Sequence, residues 1–270
     1  MRSILAVVCL LGGAVPVSAA ESPAGTDLLT GAATYEISVD SMKNGAAGTV
    51  SGRIFDSATR TCDGYRTDTK VDLVVTGPQG SIPVQSEMKT VETAGALEFD
   101  NRNAAAGKEV GRWVGKAVKD ERGLTVSLSE PRTETFEVKG SVMFPVAMLR
   151  AVIAAAKQGE TFAQYTVYDG TSDARSGRLE TAAIGPGRTT TEAGDEADFA
   201  TALGFQNLSH WPVRISYFPN DPAGDQTATT TMDLILYEDG AAQSSKLDFG
   251  PFRLGLKLVE FKPIPPEPCQ

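Results

Sequence analysis

Hydrophobic and polar residues alternate along most of the chain, and this period of two constrains the fold more than any other feature. Successive side chains of a strand point to opposite faces, so each alternating run predicts a strand with one buried face. Runs of this kind are typical of antiparallel sheets, and the sequence therefore predicts a mainly β fold. The clearest runs are Tyr35, Ile37 and Val39; Val71, Leu73 and Val75; Leu124, Val126 and Leu128; and Leu254, Leu256 and Leu258.

Two later segments are apolar on both faces. Residues 213–218 and 232–237 carry apolar or aromatic side chains at consecutive as well as alternate positions, which indicates that both sides of the sheet are covered there. Asp239 and Gly240 follow the second segment as a turn dipeptide that predicts a hairpin. The proline-rich residues 263–268 lack donors for a strand ladder, so we expect them to run over the surface.

One segment has helical spacing instead. Pro145 suits the first turn of a helix over residues 145–157, Lys157 suits the negative end of the helix dipole, and Gly159 suits a left-handed cap. Few charges interrupt the segment, so we expect the helix to pack into the concave face of the sheet. Its apolar stripe consists of Val146, Leu149, Val152, Ile153 and Ala156.

The first 20 residues have the order of a secretory signal peptide. Arg2 precedes an apolar run over residues 4–17, and small residues follow it, which predicts a mature chain that starts near Glu21. The run is shorter than the roughly 20 residues of a transmembrane helix, and no second such run follows, so we expect no transmembrane anchor. Cys9 lies inside the run and does not suit a lipid anchor. These features predict export to the periplasm.

Removal of the leader takes Cys9 away and leaves two cysteines. In an oxidising compartment Cys62 and Cys269 are expected to form a disulfide. The bond would close a loop of about 200 residues, for which the chain-entropy model gives at most about 5 kcal/mol of stabilisation. Two free thiols or an intermolecular bond are the alternatives.

The charge of the chain excludes one class of partner. The 34 acidic side chains outnumber the 25 basic ones and are interspersed with them, so nucleic acid is not an expected partner.

No linker rich in Pro, Ser or Gly separates two regular halves, and a bridge from Cys62 to Cys269 would join the front of the chain to its end. We therefore expect a single domain over residues 21–270.

Candidate catalytic and metal sites are few. His210 is the one histidine, and its neighbour Ser209 would point to the opposite face of an extended segment, so the pair does not predict a hydrolase. We expect His210 to lie near a buried Trp211 at the start of a strand. One histidine and two bridged cysteines do not predict a zinc site, and no cofactor is predicted. An acidic group lacks the spacing of a calcium loop: Glu192, Asp195, Glu196 and Asp198.

Several short strings, taken in order, resemble the EipB family of periplasmic cell-envelope integrity proteins of Alphaproteobacteria. The resemblance covers most of the mature chain, but a histidine expected soon after the Phe-Pro pair is replaced by Val146-Ala147-Met148. The strings are Tyr35-Glu-Ile-Ser, Thr61-Cys62-Asp63-Gly64-Tyr65, Phe144-Pro145, Val167-Tyr-Asp169-Gly170, residues 181–185, Trp211-Pro-Val213, Ser216-Tyr217-Phe218, Leu236-Tyr-Glu-Asp-Gly240 and Cys269.

This resemblance implies a long antiparallel sheet that curls into a spiral or open barrel around one central helix and is closed by the disulfide of Cys62 and Cys269. It also implies a periplasmic role in envelope integrity, a likeness in shape to carriers of lipids and lipoproteins, and a periplasmic tetratricopeptide-repeat protein as partner. It brings no catalytic residue with it.

Two functions follow as hypotheses. The first is a non-enzymatic periplasmic protein that binds a partner or an apolar, lipid-like ligand in a groove between sheet and helix. Met148, Leu149, Val152 and Trp211 would line that groove, and plain core packing is the alternative role for each. The second is an envelope hydrolase of lipid or peptidoglycan, for which no sequence pattern points to particular catalytic residues.

Overall fold

A computed structural model describes residues 27–42, 48–171, 177–189, 207–218, 227–249 and 252–269. Within these residues the chain forms a 16-stranded sheet and one helix, α1 (Pro145–Lys157). The strands are β1 (Gly31–Met42), β2 (Thr49–Arg60), β3 (Gly64–Gly77), β4 (Gly80–Thr93), β5 (Ala96–Ala105), β6 (Lys108–Asp120), β7 (Gly123–Glu130), β8 (Glu134–Lys139), β9 (Val142–Met143), β10 (Phe162–Val167), β11 (Arg178–Ile184), β12 (Arg188–Thr189), β13 (Ser209–Phe218), β14 (Thr230–Tyr237), β15 (Ala242–Phe249) and β16 (Phe252–Pro263).

The sheet is an antiparallel meander that nearly closes on itself. Strands β1 to β8 pair in chain order, and β1 also pairs with β16. From β16 the sheet continues through β15, β14, β13, β11 and β10 to β9, while β12 pairs with β13. The two edge strands are therefore β8 and β9, which Gly140 and Ser141 join. Because this connection is so short, the two edges meet at one corner, and the sheet forms an open barrel.

The helix forms where the spacing predicts it. A proline occupies its first turn, Lys157 lies in its last turn, and Gly159 follows it with a φ of 79°. The helix connects β9 to β10, and these two strands are parallel. This pair corrects the expectation of a wholly antiparallel sheet, because a helical crossover brings the chain back in the same direction.

The inner face of the curled sheet encloses α1. Met148, Val152, Ile153 and Ala156 of the helix are buried against β11, β13 and β14. The alternate residues of those strands that point inward are Ala182, Ile184, Val213, Ile215, Leu234 and Leu236. A second buried cluster fills the β5 to β8 side around Phe144, and its members include Leu97, Phe99, Leu124, Val126, Val138 and Tyr168. The predicted arrangement of a sheet around one helix is confirmed.

Strands β13 and β14 also bury part of their outer face. Tyr237 is fully buried and packs with Leu29, Leu208, Ile235 and Phe261. This cluster covers the outer face of β14 at Ile235 and Tyr237. The cover expected for residues 213–218 is not found among the described residues, because Arg214 on the outer face of β13 is exposed. The two residues of the short strand β12, Arg188 and Thr189, pair with His210 and Ser209. Two residues are too few for a period of two to be recognised.

A disulfide joins Cys62, between β2 and β3, to Cys269, with 5.4 Å between the two Cα atoms. The tail before Cys269 follows the end of the sheet. The backbone amide of Ile264 donates to the carbonyl of Thr30 over 3.1 Å, and the amide of Glu267 donates to the carbonyl of Arg60 over 2.9 Å. The tail thus runs over the surface and is fixed at its end.

Among the described residues, no helix combines the length and hydrophobicity that crossing a bilayer requires.

Candidate functional site

A cavity of about 220 Å³, here called the helix–sheet cavity, lies between the start of α1 and the inner face of the sheet. Its helix wall consists of Val146 and Leu149, which are three residues apart and so share a face. Most of the other lining residues are apolar or aromatic. They are Leu28, Leu29, Gly31, Ala33, Tyr35, Asp56, Ala58, Tyr65, Thr67, Gly240, Ala241, Ala242, Leu258 and Phe261.

Two larger grooves lie outside the barrel and are open to solvent. One, of about 610 Å³, is lined by Pro212, Arg214 and Asp233. The other, of about 630 Å³, is lined by Lys89, Glu98 and other residues of β3 to β7. Their polar side chains form exposed ion pairs such as Arg214 with Asp233. Drug-sized ligands are normally enclosed by concave, mainly apolar walls, so the helix–sheet cavity is the better candidate site.

Four polar side chains line the helix–sheet cavity, and one of them, Thr67, is paired with the hydroxyl of Thr90 over 2.7 Å. The hydroxyl of Tyr35 donates to the carbonyl of Ala242 over 3.2 Å. The hydroxyl of Tyr65 accepts from the backbone amide of Leu28 over 3.0 Å and from the Arg150 guanidinium over 3.2 Å. The carboxylate of Asp56 accepts from the hydroxyl of Thr69 over 2.7 Å.

The surroundings of Asp56 disfavour its charged form. Burial raises the pKa of the Asp56 carboxyl, the Thr69 hydroxyl opposes this shift, and the nearby Asp68 adds to it. Burial also raises the pKa of Tyr35, and the charge of Asp56 contributes to that increase. The cavity therefore combines apolar walls with one acidic group.

The first turn of α1 is held by a residue of the sheet. The two carboxylate oxygens of Glu92 accept from the backbone amides of Val146 and Ala147, each over 2.8 Å. Burial raises the pKa of Glu92 to about 7, although these bonds and the charges of Lys119 and Arg150 act in the opposite direction. Glu92 is only 5% exposed. The arrangement positions the helix wall of the cavity.

A second buried polar cluster lies between β10, β11 and β13. The guanidinium of Arg178 bonds to the carboxylate of Asp169 and lies 5.4 Å from the ring centre of Tyr217. Glu180 is 3% exposed, and burial raises its pKa to about 7. Among the described residues, one of its carboxylate oxygens has no hydrogen-bond partner. This cluster does not border the helix–sheet cavity.

A family model described as EipB-like matches residues 23–265 of the chain. The chain belongs to the EipB-like family. It is 27% identical over 251 residues to the cell envelope integrity protein EipB of Brucella abortus (strain 2308), and this alignment covers 90% of the chain and 86% of that protein. The family that the ordered motifs indicated is confirmed.

The fold of this EipB-like chain is similar to a solved structure. The crystal structure of a β-barrel-like protein of a domain of unknown function from Brucella abortus superposes with a TM-score of 0.80. The superposition covers 89% of this chain and 100% of that one, at 24% identity. The mainly β, barrel-like architecture predicted from the sequence is confirmed.

The structure places the four predicted groove residues of this family member in two environments. Met148, Val152 and Trp211 belong to the buried cluster between α1 and the sheet. Leu149 packs against the same cluster and also lines the helix–sheet cavity. That these residues contact a ligand stays a prediction. The sequence did not single out Val146 for this role, although its spacing from Leu149 was a usable signal.

His210 lies in the position expected for a residue at the start of a strand. Its side chain is 4% exposed, and its ring centre lies 5.2 Å from that of Tyr237. It lines neither the helix–sheet cavity nor the outer grooves.

In the part of the chain that the structure describes, no three His, Cys, Asp or Glu side chains could hold a metal ion together. The leader and the acidic group at residues 192–198 lie outside the described residues.

Proposed function

We propose that this chain is a periplasmic, non-catalytic protein that supports the integrity of the cell envelope. We further propose that it acts by holding an apolar, lipid-like ligand or an apolar segment of a partner in the helix–sheet cavity. The similarity to a protein named for cell envelope integrity, over 90% of this chain, supports the role in the envelope. The signal-peptide order of residues 1–20 supports the location.

The helix–sheet cavity is the observation that carries the binding proposal. Protein interiors are packed to the density of organic crystals, and an unfilled cavity lowers stability in proportion to its volume. An apolar cavity of about 150 Å³ in another protein stays dry and binds benzene. At about 220 Å³, the helix–sheet cavity has room for a short hydrocarbon segment beside Leu149 and Leu258.

The partner that we propose is a periplasmic tetratricopeptide-repeat protein, as the resemblance to the family implies. Repeat proteins of this class offer a long concave surface that suits a compact partner. An exposed groove of about 610 Å³ around Pro212 and Arg214 lies on the outer face of β13 and β14. A pull-down from periplasm with this chain as bait tests the partner, and Arg214→Glu should weaken the capture if this groove is the contact.

An envelope hydrolase of lipid or peptidoglycan is the less favoured function. A version that depends on His210 would need the imidazole in a cleft, whereas the ring is buried against Tyr237. A version that depends on carboxylates would use Glu180, since a raised pKa suits a general acid. Turnover of peptidoglycan or phospholipid that disappears in Glu180→Gln would support the hydrolase and contradict the binding proposal.

Native mass spectrometry of the mature protein purified from its own periplasm tests the binding proposal. A retained mass of lipid or acyl size that disappears on denaturation is the expected result. The same spectrum reports the disulfide and the oligomeric state. A bare monomer, also after incubation with extracted envelope lipids, would contradict the ligand proposal and leave the partner segment as occupant of the cavity.

A further inference from the structure

The carboxylate of Asp56 in the helix–sheet cavity has no cationic partner among the described residues. The hydrogen bond that this carboxylate accepts comes from the neutral hydroxyl of Thr69. The neighbouring lysines pair elsewhere: the Lys70 ammonium lies 3.2 Å from Asp72, and the Lys89 ammonium lies 3.9 Å from Asp68. No Lys, Arg or His side chain lines the described cavity. A buried acid without a cationic partner tends to be neutral, and an ammonium group in the cavity would stabilise its charged form, so Asp56 can act as counter-ion to a cation from outside the chain.

Aromatic rings surround the same space. Tyr35, Tyr65 and Phe261 line the helix–sheet cavity together with Asp56. The hydroxyl of Tyr35 is held by the carbonyl of Ala242, which fixes the position of the ring. Tyr65 already receives one cation on its ring, since the Arg150 guanidinium lies 5.0 Å from the ring centre. Aromatic faces beside a carboxylate are the chemistry by which proteins bind organic ammonium groups.

The ring of Phe261 reaches the cavity because Gly31 has no side chain. A β-carbon at Gly31 would lie 2.4 Å from the tip of the Phe261 ring, which is closer than atoms can approach. The glycine therefore permits the ring to lie over β1. The aromatic wall depends on this close approach between β1 and β16.

We propose that the helix–sheet cavity binds an organic ammonium group on a small apolar body, with Asp56 as the counter-ion and Tyr35 and Phe261 as aromatic walls. This inference rests on the proposed binding function and names the ligand class for the same site. A cation is favoured over an anion because the one charged group that lines the cavity is acidic. The apolar remainder of the ligand lies against Leu149 and Leu258.

Three probes of nearly equal size separate charge from shape. The first is choline, and the second is its tert-butyl analogue, in which carbon replaces the ammonium nitrogen. The third is the carboxylate anion of tert-butylacetic acid. Isothermal titration calorimetry of the mature, oxidised chain should give choline at least about tenfold tighter than its uncharged analogue, and the anion weakest. Equal affinity for choline and the analogue would overturn the ammonium proposal and leave the apolar cavity intact. If none of the three binds, the proposed ligand function fails as well.

Variants test the two recognition elements. Asp56→Asn keeps the size of the side chain and should reduce choline affinity about tenfold without changing binding of the analogue. Asp100→Asn removes one acidic group that pairs with Arg112 on the outside of the sheet and is the matched control, which should change neither. Tyr35→Leu removes the ring and should weaken choline selectively, whereas Tyr35→Phe keeps the ring and should not. Unchanged choline affinity in both Asp56→Asn and Tyr35→Leu would overturn the proposal.

An experiment with lipid vesicles distinguishes a lipid headgroup from a soluble ammonium compound as the natural ligand. Co-flotation with phosphatidylcholine vesicles, lost in Asp56→Asn, would assign the site to a lipid headgroup. Choline binding in solution without co-flotation would assign it to a soluble ammonium compound. Both results support the site, and they differ in where its ligand comes from.

Discussion

The carboxylate of Glu92 on β4 accepts a 2.8 Å hydrogen bond from the backbone amide of Val146 in the first turn of α1. The first amides of a helix have no partner inside the helix, and the residue before α1, Phe144, offers no side-chain bond to them. A strand that lies 54 residues earlier supplies the missing acceptor at the N-terminal end of the helix. The helix is thereby fixed to the inner face of the sheet.

Glu92→Gln should flatten the pH dependence of stability. Because burial raises the pKa of Glu92 to about 7, the folded state keeps a proton that the unfolded state releases above its ordinary pKa of 4.5. The contribution is complete below pH 4.5 and is lost as the pH rises through 7, by about 3 kcal/mol at most. Urea unfolding between pH 4.5 and 8 should show that the free energy of unfolding decreases less with pH in the variant than in the wild type. A residual decrease from Glu180 is expected, whereas an unchanged slope would refute this role of Glu92.

Loss of the disulfide should destabilise the fold by several kcal/mol. Cys62 and Cys269 are 207 residues apart, so the bond restricts a large part of the unfolded chain, and the chain-entropy model gives about 5 kcal/mol as an upper value. The measurement is the free energy of urea unfolding of the oxidised chain and of a Cys62→Ser, Cys269→Ser double variant. Equal midpoints for the two proteins would contradict the prediction.

Val152→Ala should cost about 2 kcal/mol of stability. The side chain of Val152 is completely buried between α1 and the sheet, so its truncation removes buried hydrocarbon and leaves a void. Val259→Ala is the matched control, because Val259 is 46% exposed and its truncation should change stability by less than about 0.5 kcal/mol. Similar losses in the two variants, measured by chemical unfolding, would show that α1 does not form the centre of the core.

Ala58→Leu should abolish ligand retention without unfolding the chain. Ala58 lines the helix–sheet cavity, so the larger side chain occupies space that a ligand needs and fills a void in the free protein. Native mass spectrometry should show the retained mass in the wild type and its loss in the variant, at an unchanged or higher melting temperature. Ala104→Leu is the control, since Ala104 pairs with Gln85 on β4 and lines none of the described cavities. Retention in both variants would place the ligand elsewhere.

Local spacing determined much of this architecture. Alternation at Tyr35, Ile37 and Val39 predicts β1, and the helical spacing of Val146 and Leu149 predicts α1 with its observed ends. These patterns can be recognised in the sequence because the period of a strand or helix is set by neighbouring residues. The pairing of the two cysteines was also predicted from the sequence, since the predicted loss of the leader would remove the third. The parallel pair β9 and β10 was missed because a two-residue strand shows no period.

The candidate site was only partly within reach of the sequence. Leu149 was predicted to line it. Tyr35 was recognised only as a strand residue and part of a family motif, and Tyr65 only as part of a family motif. Asp56 was not predicted, because a single acid in a strand looks like a solvent-facing residue. What decides its environment is the register of β1, β2 and β16, together with the curl that turns their inner face toward α1.

The strands with a clear period, the helix, the bridge and the family could therefore be predicted from the residue pattern. Only the folded chain shows that Val152 is core while Leu149 borders a cavity, that Glu92 holds the helix, and that Asp56 lines a cavity with aromatic rings. Each of these facts joins residues far apart in the chain. They depend on how a nearly closed sheet wraps one helix, which no local pattern of residues encodes.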